Sequence, residues 1–347
     1  MLPSPVIGPL QIGPLQIGDV SVPGRVLIAP MTGVTDLPFR RQASRLGAAY
    51  VATEMVACAE LARGRPDMVR RAAVGEGLPL TVIQLVGANP AMIAAGARTA
   101  EAAGADLIDL NFGCPAKEVI GAACGSALMR DLDAAERLIG AAVEATSRPV
   151  TVKMRLGWDA ASRNAPDLAA RAERVGAAAV SVHGRTRQQF YTGQADWAAV
   201  AEVRGATRLP LIVNGDITDL ATAHAALQAS SADALMLGRG VYGRPWFAAA
   251  LDAALAGGAP MVEPAAEARL ALVIEHLRES LAFYGEALGL RIFRKHLGWY
   301  IERAPWPASA EARRAARGAL CRLDRPRDVE DGLTRLWLEP TRLRRAA

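Results

Sequence analysis

Only three lysines, Lys117, Lys153 and Lys295, stand among the 40 basic residues of this 347-residue chain, so each marks a place where an ammonium is used instead of a guanidinium. Lys153 lies inside the apolar run Val150-Thr-Val-Lys-Met-Arg155. A buried ammonium is costly there unless it meets an anion or reacts. It can serve as a Schiff-base amine or as the partner of an anionic group. Cys114 sits between Gly113 and Pro115, directly after the apolar run Leu107–Phe112. A thiol held in such a turn can attack as a thiolate or, if neutral, give up a proton, and no histidine adjoins it to decide. Cys114 and Cys124 are separated by nine residues, which is not zinc-finger spacing, and no metal is expected. Cys58 and Cys321 read as small buried hydrophobes.

Other polar residues close apolar runs in the same way. They are Pro30, Met31 and Thr32; Glu54; Gln84; Asp109 and Asn111; Arg155; His183 with Arg185 and Arg187; Asn214, Gly215 and Asp216; and Gly238 with Arg239. The runs are Val26–Met31, Ala49–Met55, Leu80–Val86, Leu107–Phe112, Val150–Arg155, Ala178–His183, Leu211–Asn214 and Ala234–Leu237. Between them lie segments of helical periodicity: Asp36–Leu46, Pro90–Gly104, Asp131–Thr146, Pro166–Gly176, Trp197–Val203 and Leu220–Ala229. Asn89-Pro90 reads as an N-cap with Pro in the first turn, and Gly104 and Gly176 as helix ends. Continuous apolar strands imply a sheet covered on both faces, and alternation with helices implies βα units. Eight units predict an α/β fold, a (β/α)8 TIM barrel, with a doubly wound sheet as the alternative. In such a barrel these polar residues would ring one mouth, at the C-terminal ends of the strands.

The pattern stops at Gly257-Gly258-Ala259-Pro260. Glu267–Tyr284, Leu290–Arg303 and Ala310–Leu323 read as helices of a smaller all-helical domain over 261–347, after a barrel over 21–258. Residues 1–20, with the repeat IGPLQ-IGPLQ-IG, read as a tail or an edge hairpin. From Met261 onward 16 basic and 12 acidic residues leave +4 of the chain's net +5 in this quarter. That suits a polyanionic partner, or a solvated helical face. Ordinary composition, with 51% hydrophobic and 22% charged residues, excludes disorder and disulfide mini-folds. No apolar stretch reads as a membrane span and the N-terminus lacks a basic leader, so a cytoplasmic protein with reduced thiols is expected.

The last two strand ends resemble a phosphate cup. Asn214-Gly215 and Gly238-Arg239-Gly240 offer unhindered backbone N–H groups and one guanidinium, in loops that commonly bind phosphate in this fold. Gly238-x-Gly240-x-x-Gly243 also matches a dinucleotide fingerprint, but it closes the series of repeats where a Rossmann motif would open one. A flavin would explain the cup together with Gln84, His183 and Lys153, the lysine facing the charge of the reduced ring. A histidine bonded to backbone in the core is the alternative for His183.

At these residues the chain resembles the tRNA-dihydrouridine synthases, most closely the bacterial B-type branch. The matching stretches are Ala29–Arg40 (APMTGVTDLPFR), Asn111–Lys117 (NFGCPAK), Gly125–Met129 (GSALM), His183–Arg187 (HGRTR), Asn214–Thr218 (NGDIT), Gly238-Arg239 with Gly243–Trp246 (GRPW), and Arg294–Tyr300 (RKHLGWY). The resemblance spans about residues 26 to 303 in one order; Phe112 and Cys124 depart from it mildly, and the repeat and the extreme C-terminus lie outside it.

The resemblance implies FMN, reduced by NADPH, and tRNA as substrate, with no membrane and no obligate protein partner. FMN contacts would fall on Pro30, Met31, Thr32, Gln84, Lys153, His183, Asn214, Gly215, Asp216, Gly238 and Arg239. Hydride would pass from flavin N5 to C6 of a uridine, Cys114 would protonate C5, and Asn111 and Arg187 would touch the uracil. The helical domain would grip the tRNA, with Arg294 and Lys295 contributing to its affinity, and B-type likeness points to position U17 in the D-loop. Two rival readings stand beside this one: an FMN barrel acting on a free pyrimidine, similar to dihydroorotate dehydrogenases, and a non-catalytic RNA-binding regulator.

Overall fold

The computed structural model describes residues 13–257, 261–306 and 309–338. They form two compact units. One takes the described residues up to Gly240 and those from Ala248 to 257; the other takes Val241–Phe247 and the described residues from Met261 on. The division is therefore not a single cut after 258, because Val241–Phe247 belongs with the helices.

The first unit is the (β/α)8 barrel. Its eight strands are β3 (Val26–Ile28), β4 (Val56–Ala57), β5 (Val82–Val86), β6 (Leu107–Phe112), β7 (Val150–Arg155), β8 (Ala179–His183), β9 (Leu211–Asn214) and β10 (Ala234–Leu237). They pair in parallel in the order β3-β10-β9-β8-β7-β6-β5-β4. Bridges from Ile28 to Val51 and from Ala52 to Val82 close the cylinder between β3 and β5. The expected strand Ala49–Met55 is thus reduced to two bridges and the short β4. The ladder lapses where Thr53 Oγ1 donates to the Glu54 carbonyl and takes the Gln84 N–H, while Glu54 takes the Gly33 N–H.

Through β6 to β10 every residue is buried except Lys153 and His183. Strands covered on both faces need apolar residues throughout, so the two exceptions point into the mouth. The helices between are stopped and started by side chains. Asn89, Asp131, Asp196 and Asp219 each accept a backbone N–H of the first turn, and Asp219 with Thr222 completes a capping box. Gly104 and Gly176 take left-handed φ of 95° and 92° just past their helices.

The opposite end is covered by an antiparallel hairpin, β1 (Leu15–Ile17) and β2 (Val20–Val22), turning at Gly18 with φ 60°. Leu15, Ile17 and Val22 pack with Leu27, Tyr50, Leu107 and Met236 in one apolar cluster. The hairpin is its own two-stranded sheet and not an edge of the barrel. Residues 1–12, including the first half of the repeat, lie outside the described residues.

In the second unit the helices are Ala266–Tyr284, Glu286–Glu302, Ala310–Leu320 and Pro326–Leu338. The last was not expected from the sequence, although Val329, Leu333, Leu336 and Trp337 form its buried stripe at helical spacing. These residues join Val273, Leu277, Phe293, Leu297 and Ile301 in a core of their own. Residues 339–347, the extreme C-terminus, lie outside the described residues. Among the described residues no helix is long and apolar enough to cross a membrane.

Candidate active site

The ends of β5, β6 and β7 are joined by a ladder of side chains. Gln84 Nε2 donates to Asp109 Oδ2 at 2.6 Å, and Thr151 Oγ1 donates to Asp109 Oδ1 at 2.6 Å. Asn111 Nδ2 donates to Gln84 Oε1 at 2.8 Å. Asn111 Oδ1 in turn accepts the backbone N–H of Gly113 at 3.2 Å and of Cys114 at 2.9 Å. The Cys114 turn is held from other sides too. Ser126 Oγ donates to the Cys114 carbonyl at 2.8 Å, and Arg155 Nε to the Gly113 carbonyl at 2.8 Å. Gly125, at φ 59°, packs so closely that a Cβ there would stand 2.9 Å from the Cys114 carbonyl oxygen.

Cys114 is half-buried, and burial pushes its thiol above the ordinary range in spite of Arg155 and Lys153 nearby. A thiol held as S–H is a poor nucleophile and a competent proton donor. Cys124, the neighbouring thiol, is buried and gives its proton to the Ala122 carbonyl at 3.2 Å. Cys58 is buried as expected, but Cys321 is only half-buried, with its thiol on the Arg294 carbonyl at 3.6 Å.

Lys153 Nζ makes one hydrogen bond, to Asn214 Oδ1 at 3.1 Å, and Asn214 Nδ2 donates to the Met236 carbonyl. Two ammonium protons remain for a ligand. Burial pulls the Lys153 pKa down and pushes that of Asp109 up, and each charge partly restores the other. Burial, with Lys153 and Arg155 nearby, holds His183 neutral well below its ordinary value.

Asp216, at φ 54°, is spoken for by protein. Its carboxylate takes both guanidinium arms of Arg185, the Ala195 N–H at 2.8 Å and Arg239 at 3.4 Å. Against the cost of burial, the Arg185 hydrogen bonds keep it below the ordinary carboxylate range. Its carboxylate is thus spent on protein groups. Gly215, at φ 120°, has the His183 ring 2.9 Å from where a Cβ would lie, so glycine is required there. Gly238 is half-buried with nothing within 4 Å of its Cβ position, which leaves its backbone open to a ligand. Arg239, exposed, stacks on Tyr191 at 5.3 Å. Pro30 and Met31 are half-buried and Thr32 exposed, with the Met31 N–H turned onto Thr35 Oγ1.

Arg187 lies over the Trp158 ring at 4.8 Å, and its Nε is buried without a hydrogen-bond partner. Among the described residues it faces no carboxylate, so its charge is open to a carbonyl or phosphate. An open glycine backbone, an ammonium with protons to give and an unspent guanidinium fit a large anionic cofactor with a polar ring edge, as FMN is.

Asp109 was expected at this mouth but with no role, and Trp158 and Tyr191 were not expected there. Asp109 is two residues before Asn111 on one strand and so shares its inward face, a signal that period-2 alternation carries. Trp158 and Tyr191 stand on loops, where no periodicity marks them. In the helical unit Arg294, expected on the RNA-binding side, is bound to Asp324 at 2.7 Å and to the Leu323 carbonyl.

The chain has clear relatives among known proteins. The family model described as dihydrouridine synthase (Dus) matches residues 27–322. The chain is 52% identical over 293 residues to a probable tRNA-dihydrouridine synthase of Rhodobacter capsulatus, covering 84% of this chain and 90% of that one. It is 43% identical to tRNA-dihydrouridine synthase B of Xanthomonas axonopodis pv. citri, over 84% of this chain and 88% of the relative. In fold it is similar to a mutant of morphinone reductase solved in complex with tetrahydroNAD, at a TM-score of 0.53 and 18% identity, over 74% of this chain and 93% of that one. A barrel with these strand ends, matched by the family model along most of its length, belongs to the dihydrouridine synthase (Dus) family.

Proposed function

We propose that this protein reduces the C5=C6 bond of particular D-loop uridines in tRNA to 5,6-dihydrouridine, with FMN in the barrel mouth, NADPH as reductant and a cytoplasmic place of action. The observation that carries the reading is the Cys114 turn: a thiol kept protonated, fixed by Asn111, Ser126 and Arg155, beside an ammonium with two free protons. When bound, FMN supplies the hydride equivalent that C6 of the uracil accepts.

The side chains do the rest. Lys153, Gln84, His183 and the backbone of Gly215, Asp216 and Gly238, with Arg239, hold the cofactor; Pro30, Met31, Thr32 and Asn214 line it. Asn111 has spent one amide proton on Gln84 and has one left for a uracil carbonyl, where Arg187 adds a positive charge. Together they stabilise the negative charge that develops on that oxygen. Cys114 gives its S–H proton to C5, the thiolate is left, and solvent reprotonates it.

The helical unit supplies affinity for RNA. Arg291, Lys295, Arg314, Arg322, Arg325 and Arg327 are exposed there and form no ion pair among the described residues. Phosphate contacts of this kind carry RNA affinity, and the uridine reaches the mouth by leaving its stack. The test is to map dihydrouridine in tRNA from a strain lacking the gene. Loss at one D-loop position, U17 by B-type likeness, supports the reading. An unchanged map, with purified protein that reduces free pyrimidines, would favour the dihydroorotate-type rival.

A further inference from the structure

We propose that Asp109 is a positioning residue that holds the Cys114 turn through Gln84 and Asn111. The turn dictates the partners behind it. Asn111 Oδ1 accepts two backbone N–H groups, from Gly113 and Cys114, and an amide nitrogen cannot do so. The carboxamide of Asn111 therefore has one orientation, with Nδ2 toward Gln84. That orientation requires Gln84 to present Oε1 to Asn111 and Nε2 to its other neighbour, Asp109, at 2.6 Å. Whatever stands at 109 must then be an acceptor, and a carboxylate only accepts.

The strands set this order. Gln84 and Asp109 are register partners of β5 and β6, and Asp109 and Thr151 are partners of β6 and β7. Asn111 follows Asp109 by two residues and so shares its face of β6. Asp109 and Gln84 are each only 1% exposed, so water does not replace a lost rung. Thr151 Oγ1 takes the second carboxylate oxygen, and among the described residues no cation stands within ion-pair distance of Asp109, the Lys153 ammonium bonding Asn214 instead. The carboxylate thus acts chiefly as an acceptor at the foot of a polarised chain whose other end is the backbone of the thiol.

The meaning of this for the reaction rests on the reading of Cys114 as the proton donor, but the turn itself can be tested without it. The purified full-length protein is treated with iodoacetamide and labelling of Cys114 is followed by peptide mass spectrometry, with Cys321 as internal reference. Asp109→Ala removes the acceptor, and Cys114 should label about tenfold faster relative to Cys321, the change that losing one buried hydrogen bond (about 1.4 kcal/mol) makes in an opening equilibrium. Gln84→Met leaves Asp109 in place, breaks the chain one rung higher and should give the same acceleration. Asp109→Asn keeps an oxygen for Gln84 Nε2 while deleting the charge, and should restore most of the parent's slow labelling.

Slow labelling in Gln84→Met overturns the proposal. So does Asp109→Asn labelling fast, because the charge facing Lys153, and not the acceptor, would then be what matters. If Asp109→Ala does not fold, those two variants decide the question alone. Labelling reads the turn and not the reaction, so a failure of Cys114 as the acid would appear in tRNA-dependent reoxidation and leave this result standing.

Discussion

The barrel mouth and the helical unit both gather positive charge, but they hold it in opposite ways. In the mouth three cations are fixed. Arg155 donates to the carbonyls of Gly113, Thr186 and Phe190, Arg185 is locked on Asp216, and Lys153 is tied to Asn214. In the helical unit Lys295 and the exposed arginines 291, 314, 322, 325 and 327 have no such partners among the described residues. A buried cation can be aimed at one atom of a ligand but costs desolvation; an exposed one attracts any phosphate and is screened by salt. The first arrangement suits chemistry at one atom, and the second suits a polyanionic surface.

The largest effect that could break this contrast belongs to Cys114. Cys114→Ala should be reduced by NADPH at a near-normal rate and then reoxidised by tRNA about 10²–10⁴-fold more slowly, the usual contribution of a general acid. Cys124→Ala, whose thiol is turned onto Ala122, should show little of this. Stopped-flow of the two half-reactions checks both, and a parent-like rate for Cys114→Ala would remove it as the acid. Because burial raises the Cys114 pKa above the ordinary 9.0, the acidic form persists as pH rises past that value. Reoxidation should therefore fall off at higher pH than the titration of an ordinary thiol would give.

A smaller effect is expected at Arg239, which shares Asp216 with Arg185 and is 55% exposed at its side chain. Arg239→Ala should weaken flavin retention by roughly 1.5–3 kcal/mol if its guanidinium meets the phosphate, read as flavin content after dialysis. Full occupancy would place the phosphate elsewhere.

The smallest effects separate the two kinds of cation within the helices. Lys295→Ala and Arg314→Ala should each lower tRNA affinity and reduce the slope of log affinity against log salt by about 1, with flavin reduction intact. Arg294→Ala should instead lower thermal stability, because its guanidinium closes on Asp324 and Leu323, and leave the salt slope nearly unchanged. If Arg294→Ala moved the slope as Lys295→Ala does, the distinction between structural and binding cations in this unit would fail.

Much of this molecule is legible in its residues. The ranges of β6, β7, β9 and β10 coincide with the apolar runs Leu107–Phe112, Val150–Arg155, Leu211–Asn214 and Ala234–Leu237, because a strand covered on both faces must be apolar throughout. Caps at Asn89, Asp131 and Asp219 are likewise local, made by a side chain and the N–H three residues on. The polar residues that interrupt or end those runs, Lys153, His183 and Asn214 among them, mark the mouth for the same reason.

What lay beyond the sequence depends on partners far along the chain. The second strand thins because Thr53 and Glu54 turn to Gln84 and Gly33. Asp216 reads as a ligand residue until Arg185 is seen to occupy its carboxylate, 31 residues away. Arg294 reads as an RNA contact until Asp324 is beside it. Asp109 is the clearest case: its residue type and inward face are written in the chain, but its role needs Gln84 and Thr151, brought alongside by neighbouring strands. Apolar periodicity and capping act over a few residues, and so the sequence alone determines the elements and the mouth they ring. Which polar group is spent on protein and which is left for a ligand is settled by hydrogen bonds across strands, and only the closed barrel decides it.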